Sequence, residues 1–162
     1  MADAKKSLDP LHCLPKELIE HLDKQTRDAV LAATPYDLDQ RGNYAEGYLV
    51  LTPTGVGHYT QPDDKGPWTD AWYELSSLDE ADLVEGLGIS VLRLVREGQT
   101  VAEFRFTQRH AKFVVRFHRH LEHVLAHDDD EELEPLPPER IDDKRSRCDK
   151  CDRFIPAWTD VC

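Results

Sequence analysis

No apolar run in this chain approaches the roughly 18–20 residues that a membrane-spanning helix needs. The opening residues, MADAKKSLDP, lack the apolar stretch of a secretory signal. These two absences lead to the expectation of a soluble chain made in the cytosol. Catalytic signatures are missing as well: the sequence has no Walker A motif, no G-x-G-x-x-G, no G-x-S-x-G, no D-F-G and no H-E-x-x-H. Ser76 and Ser90 have no base beside them in the sequence. The expectation is a chain that is not an enzyme. Positive charge is in deficit, with 20 Lys and Arg against 32 Asp and Glu and a net charge of −12. Phosphate contacts need clustered bases, so nucleic acid is not an expected partner. The same deficit works against attraction of the whole surface to an anionic membrane.

The chain has 162 residues, which suits one domain with appendages. Apolar residues make up 40%, under the usual share of about 45–50%, so part of the chain is expected to be solvated tail. Residues 1–14 are charged and interrupted by Pro10, and read as a flexible arm. Pro15 then opens PKELIEHLDKQ, where Leu14, Leu18, Ile19 and Leu22 fall on one helical face, and a short helix follows.

Period-two segments come next. AVLAATPYDLD, EGYLVLT, GVGHYT, TDAWYEL, ADLVEGL, ISVLRLVR and TVAEFRF give seven strand candidates at a spacing of roughly ten residues, the pattern of a small barrel or sandwich. Pro53 and Gly55 mark one turn, and Glu97-Gly98-Gln99 marks a tight hairpin. From Thr107, a plausible N-cap, the period changes. Phe113, Val114, Phe117, Leu121, Val124 and Leu125 recur in steps of three and four, which predicts a helix of about 20 residues with one buried stripe. This helix is expected to close an open end of the barrel, with Phe113, Phe117 and Leu121 buried. Residues 128–147 contain an acid run and Pro135, Pro137 and Pro138, and read as an acidic, Pro-rich linker. The expected organisation is thus an arm (1–14), a domain (15–127), a linker (128–147) and a cysteine tail (148–162).

The tail, CDKCDRFIPAWTDVC, carries the sharpest chemistry. Cys148 and Cys151 have the C-x-x-C spacing that lets two thiolates reach one ion, and zinc favours four such ligands in a tetrahedron. Cys162 is a candidate third ligand. The pattern reads as C-x-x-C…C-x-x-C interrupted in its second half, which leads to the expectation that the chain is a piece of a longer protein. Phe154, Pro156 and Trp158 would supply the small apolar cluster of a zinc ribbon. Free thiols and a redox C-x-x-C are the competing readings, and Pro156 with the preceding linker works against the redox one. Three other groupings have plainer expectations. His110, His118, His120, His123 and His127 alternate with Arg and read as a solvated helix face, with metal binding at the i, i+4 spacing of His123 and His127 as the functional alternative. Arg109, Lys112, Arg116 and Arg119 read the same way, with an acidic partner or lipid headgroups as the functional alternative. Trp68, Trp72 and Tyr73 read as core, with the lining of a ligand groove as the functional alternative.

The segment EGYLVLTPTGVGHYT is similar to a hairpin of bacterial pleckstrin-homology-like domains. The order of a leucine-rich helix, this hairpin, a terminal helix and the CDKCDRFIPAWTDVC tail resembles the N-terminal cytosolic extension of certain bacterial ABC exporters. There a knuckle C-x-x-C-G-R-x-(I/L)-P…V-C-x-x-C precedes the first membrane helix. Cys148, Cys151, Arg153, Ile155, Pro156, Val161 and Cys162 match it, and Asp152 stands where glycine is usual. The resemblance implies a mainly β fold with α: a pleckstrin-homology-like seven-stranded barrel capped by a C-terminal amphipathic helix. It implies structural zinc at Cys148, Cys151 and Cys162, and a regulatory or scaffolding role at the cytoplasmic face of the cell membrane. The partners it implies are the membrane and ATPase portions of the same protein, with a homodimer formed through the whole transporter. The other reading is a free-standing pleckstrin-homology-like adaptor that binds a peptide or lipid and carries an accessory zinc site.

Overall fold

The computed structural model describes residues 10–61 and 66–126, and the backbone of 146–147 and 154–155. Its main element is a seven-stranded antiparallel sheet. The strands are β1 (Ala32–Leu38), β2 (Tyr44–Leu51), β3 (Gly55–Thr60), β4 (Thr69–Glu74), β5 (Glu80–Glu85), β6 (Ile89–Arg96) and β7 (Gln99–Thr107), in the order β4-β3-β2-β1-β7-β6-β5. Each strand falls within or overlaps one of the seven period-two segments. The β6–β7 turn is Glu97-Gly98, with φ of 51° and 72° and Arg96 paired with Gln99. Positive φ at both central residues is what a two-residue turn between right-twisted strands demands.

The sheet does not close into the expected barrel: β4 and β5 are its two free edges. Between them the chain takes a 3-10 turn at Leu75–Ser77, and Leu75 and Leu78 enter the core where a β4–β5 ladder would otherwise run. The sheet is nonetheless strongly curled. His58 on β3 and Phe104 on β7 lie three strand positions apart, about 14 Å in a flat sheet. Their ring centroids are 4.9 Å apart. One hydrophobic core therefore draws on Ala32 and Tyr36 of β1, Leu49 and Leu51 of β2, Leu92 and Leu94 of β6, and Phe104 and Phe106 of β7.

The terminal helix α3 (Ala111–Ala126) follows a 3-10 turn at Gln108–His110 and packs against β1, β5 and β6. Its buried stripe is Val114, Phe117 and Leu121, with Val124 and Leu125 partly covered. Phe113, expected in that stripe, is only half-buried and faces the N-terminal segment instead. Thr107 does not cap the helix with its side chain. Its hydroxyl donates to Oδ2 of Asp37 at 2.6 Å, and its N–H donates to Oδ1 at 2.8 Å. Asp37, buried on β1, thereby fixes where the chain leaves the sheet.

The N-terminal region forms a second apolar cluster on the outer face of β1–β3. The predicted single helix is two short ones, α1 (Lys16–His21) and α2 (Lys24–Asp28). Asp23 separates them, because its carboxylate accepts from the Thr26 N–H at 2.9 Å and from the Thr26 hydroxyl at 2.7 Å, which starts a new helix. Leu14, Leu18 and Leu22 pack on Val30, Ala33, Val50 and Tyr59. Within the segment expected as a loose arm, Pro10–Cys13 forms a 3-10 turn and Leu14 is buried; residues 1–9 lie outside the described residues. With α3 on one face and this cluster on the other, every residue of β1 is buried. Pro35 sits in that central strand without removing a bond to β2. Antiparallel alternation turns its nitrogen toward β7, and β7 pairs with β1 only at Leu38.

Candidate functional site

The cysteine tail is reached through its flanks. Strands β8 (Ser146–Arg147) and β9 (Phe154–Ile155) pair antiparallel, Ser146 with Ile155 and Arg147 with Phe154. The pairing joins the two ends of the segment 148–153, which contains Cys148 and Cys151. Cys148, Cys151 and Cys162 themselves lie outside the described residues, as does the linker expected at 128–147 up to residue 145. Among the described residues, no group of three or more His, Cys, Asp or Glu side chains is placed to hold a metal. The fourth cysteine, Cys13, ends the N-terminal turn and is half-buried near Phe113 and Arg116 of α3, and burial pushes its thiol up to about 11. A thiol so raised stays protonated and is a poor ligand or nucleophile.

The histidines divide. His118 and His110 are not on a solvated face. His118 is largely covered and its Nε2 lies 2.8 Å from the Ala81 carbonyl. A carbonyl only accepts, so Nε2 carries the proton and the ring ties α3 to β5. His110 Nε2 lies 3.8 Å from Oδ2 of Asp37, and burial lowers its pKa. His127 lies outside the described residues. On the basic face Arg109, Lys112 and Arg119 are exposed, while Arg116 is half-buried and lines the same small cavity as Cys13 and Phe113.

The aromatic set divides too. Trp68 is half-buried against Tyr48 in the outer cluster, and Tyr73 packs on Phe104 in the main core. Trp72 is 43% exposed on the outer face of β4. Sequence reading missed a polar pair inside the curled sheet. The Tyr36 hydroxyl lies 2.6 Å from Nε2 of His58, and both rings contact Phe104. Gly47 beside them leaves the space, since a Cβ there would stand 2.2 Å from the Tyr36 ring. Burial pushes the Tyr36 phenol up to about 12 and lowers the His58 pKa. The only signal in the sequence is that Tyr36 and His58 both fall on inward positions of their strands.

This pair gives a pH expectation. Burial makes His58 harder to protonate in the fold than in the unfolded chain, where a histidine takes up its proton near pH 6.5. The stability that comes from the lowered pKa is therefore complete above about 6.5 and falls as pH drops below it. Melting temperature is expected to decrease as pH falls from about 6.5 to 5.5, and the slope is expected to flatten in His58→Gln, which keeps a partner for Tyr36. An unchanged slope in His58→Gln would place the titration elsewhere.

No family model matches the chain, and no curated protein matches it. What is defined is a mainly β domain: an open seven-stranded antiparallel sheet with a C-terminal helix. Among its described residues, no helix is long and apolar enough to cross a membrane.

Proposed function

We propose that this chain is the non-catalytic regulatory or scaffolding N-terminal region of a bacterial ABC-type exporter, a pleckstrin-homology-like domain followed by a zinc knuckle. The observation that carries the reading is the β8–β9 pair, whose register brackets Cys148 and Cys151. The matches at Arg153, Ile155, Pro156, Val161 and Cys162 support it. The pleckstrin-homology-like label draws support from a meander of four strands, β1–β4, a second of three, β5–β7, curled onto it, and a terminal helix docked on the shared core.

Zinc bound by Cys148, Cys151, Cys162 and a fourth ligand supplies folding energy to a segment too small to fold alone. A rigid clamp of that kind suits the junction between a cytosolic domain and a membrane helix. The domain holds a position at the cytoplasmic face and binds no ATP itself. The complete reading frame containing this chain is expected to continue into long apolar spans and ATP-binding motifs, and its product to sediment with the membrane fraction. A product that ends soon after Cys162 and remains in the soluble fraction would overturn the exporter assignment and leave the adaptor reading.

A further inference from the structure

The strand β4 is an edge with unusual features. All of its residues except Tyr73 are exposed. Edges are commonly protected by charged side chains, proline or a bulge. TDAWYE has no proline, its register with β3 runs without a break, and its only charges are the acids Asp70 and Glu74. The Leu75 N–H donates to the Thr54 carbonyl at 3.0 Å, which sets the phase of the ladder. Antiparallel pairs alternate, so Tyr73, Ala71 and Thr69 bond to β3, and the backbone groups of Asp70, Trp72 and Glu74 point out from the edge. The side chains of these same three residues share the outer face of the sheet.

On that face Trp72 lies against Gly55, where a Cβ would stand 2.5 Å from the indole. Its other side is open, and beside it runs a groove of about 420 Å³ lined by Pro53, Thr54, Trp72, Glu74, Leu75 and Ser76. An indole surface next to a carboxylate is a seat for a cationic side chain, which gains a cation–π contact and a charge-assisted hydrogen bond together. Asp70 and Glu74, two positions to either side of Trp72, give the edge one sign of charge. That charge disfavours a second copy as the occupant. Two β4 edges paired antiparallel about Trp72 would place Asp70 of each opposite Glu74 of the other, and like charges directly opposite are destabilising.

We infer that the β4 edge binds an extended basic peptide segment by strand addition, with a Lys or Arg side chain seated on Trp72 beside Glu74. The backbone groups of Asp70, Trp72 and Glu74 supply the ladder, and the acidic outer face selects cationic side chains at alternate positions of the peptide.

The test titrates the full chain with a capped hexapeptide alternating lysine and valine, and with its glutamate counterpart, by calorimetry and amide NMR. The expected result is saturable binding of the lysine peptide alone, with the amides of Asp70, Trp72 and Glu74 shifted and slowed in exchange. Trp72→Ala is expected to weaken binding at least about tenfold, equivalent to about 1.4 kcal/mol. Asp70→Pro removes an outward N–H without removing a bond to β3, and is expected to do the same, whereas Asp70→Asn is expected to weaken binding less. A thermal melt establishes that each variant is folded, and Trp72→Ala carries the test if the proline variant is not. Equal binding of both peptides, shifts confined to other strands, unaltered affinity in folded Trp72→Ala, or self-association through β4 in place of peptide binding would each overturn the inference.

Discussion

Replacing Phe117 with alanine is expected to cost about 3–5 kcal/mol of unfolding free energy, the usual range for deleting a buried aromatic ring. Phe117 is fully buried, in the cluster that joins α3 to both halves of the curled sheet. Its neighbours on the helix, Val114 and Leu121, are also buried, so the ring cannot be replaced by a simple slide of the helix. The loss compares with a total of about 5–15 kcal/mol for an ordinary domain, so the variant should be marginal. A urea melt followed by far-UV circular dichroism measures it as a lower midpoint with the slope retained. A shift under about 1 kcal/mol would mean that α3 is not docked on the core. Phe113→Ala is the contrast: its ring is half-buried at the N-terminal segment and should cost less.

On the proposed zinc reading, a chelator is expected to have an effect of a different kind. The β8–β9 ladder has two residue pairs, far too few to persist unaided in water. If thiolates of Cys148 and Cys151 hold one ion, the amides of Ser146, Arg147, Phe154 and Ile155 are protected from exchange while zinc is bound. A chelator, or Cys148→Ser together with Cys151→Ser, should abolish that protection. The sheet and α3 should still melt cooperatively, because among the described residues their core draws on none beyond Leu125. Loss of protection across β1–β7 after chelation would show that metal is needed by the main domain, against this account.

How far the sequence foretold the fold depends on the range of the interactions. The seven strands were legible because alternation is a local signal, and so was the Glu97-Gly98 turn, whose positive φ values suit few residue pairs. The helical stripe was legible at Val114, Phe117 and Leu121. Phe113 was misjudged because its position relative to the stripe is settled by the N-terminal turn, which packs there from a hundred residues away in the chain. Thr107 illustrates the same limit: local spacing made it an N-cap, but Asp37, 70 residues earlier, takes its donors. The open gap between β4 and β5 follows from Leu75 and Leu78 turning inward, and no pairing rule in the sequence shows that. Trp72 was expected in the core because it is a strand aromatic, yet its parity on β4 sends it outward, over the space that Gly55 leaves. The Tyr36–His58 contact joins β1 to β3 across the inside of the curled sheet, a geometry that neither strand encodes alone.

The zinc assignment is the part of the account on which the functional reading stands, and metal content tests it most directly. The product of the complete reading frame should be purified without added metal and measured by elemental analysis. The account predicts about one zinc ion per chain, lost in the Cys148→Ser, Cys151→Ser variant. A folded protein with its thiols reduced and no zinc bound, even after zinc is supplied, would contradict it.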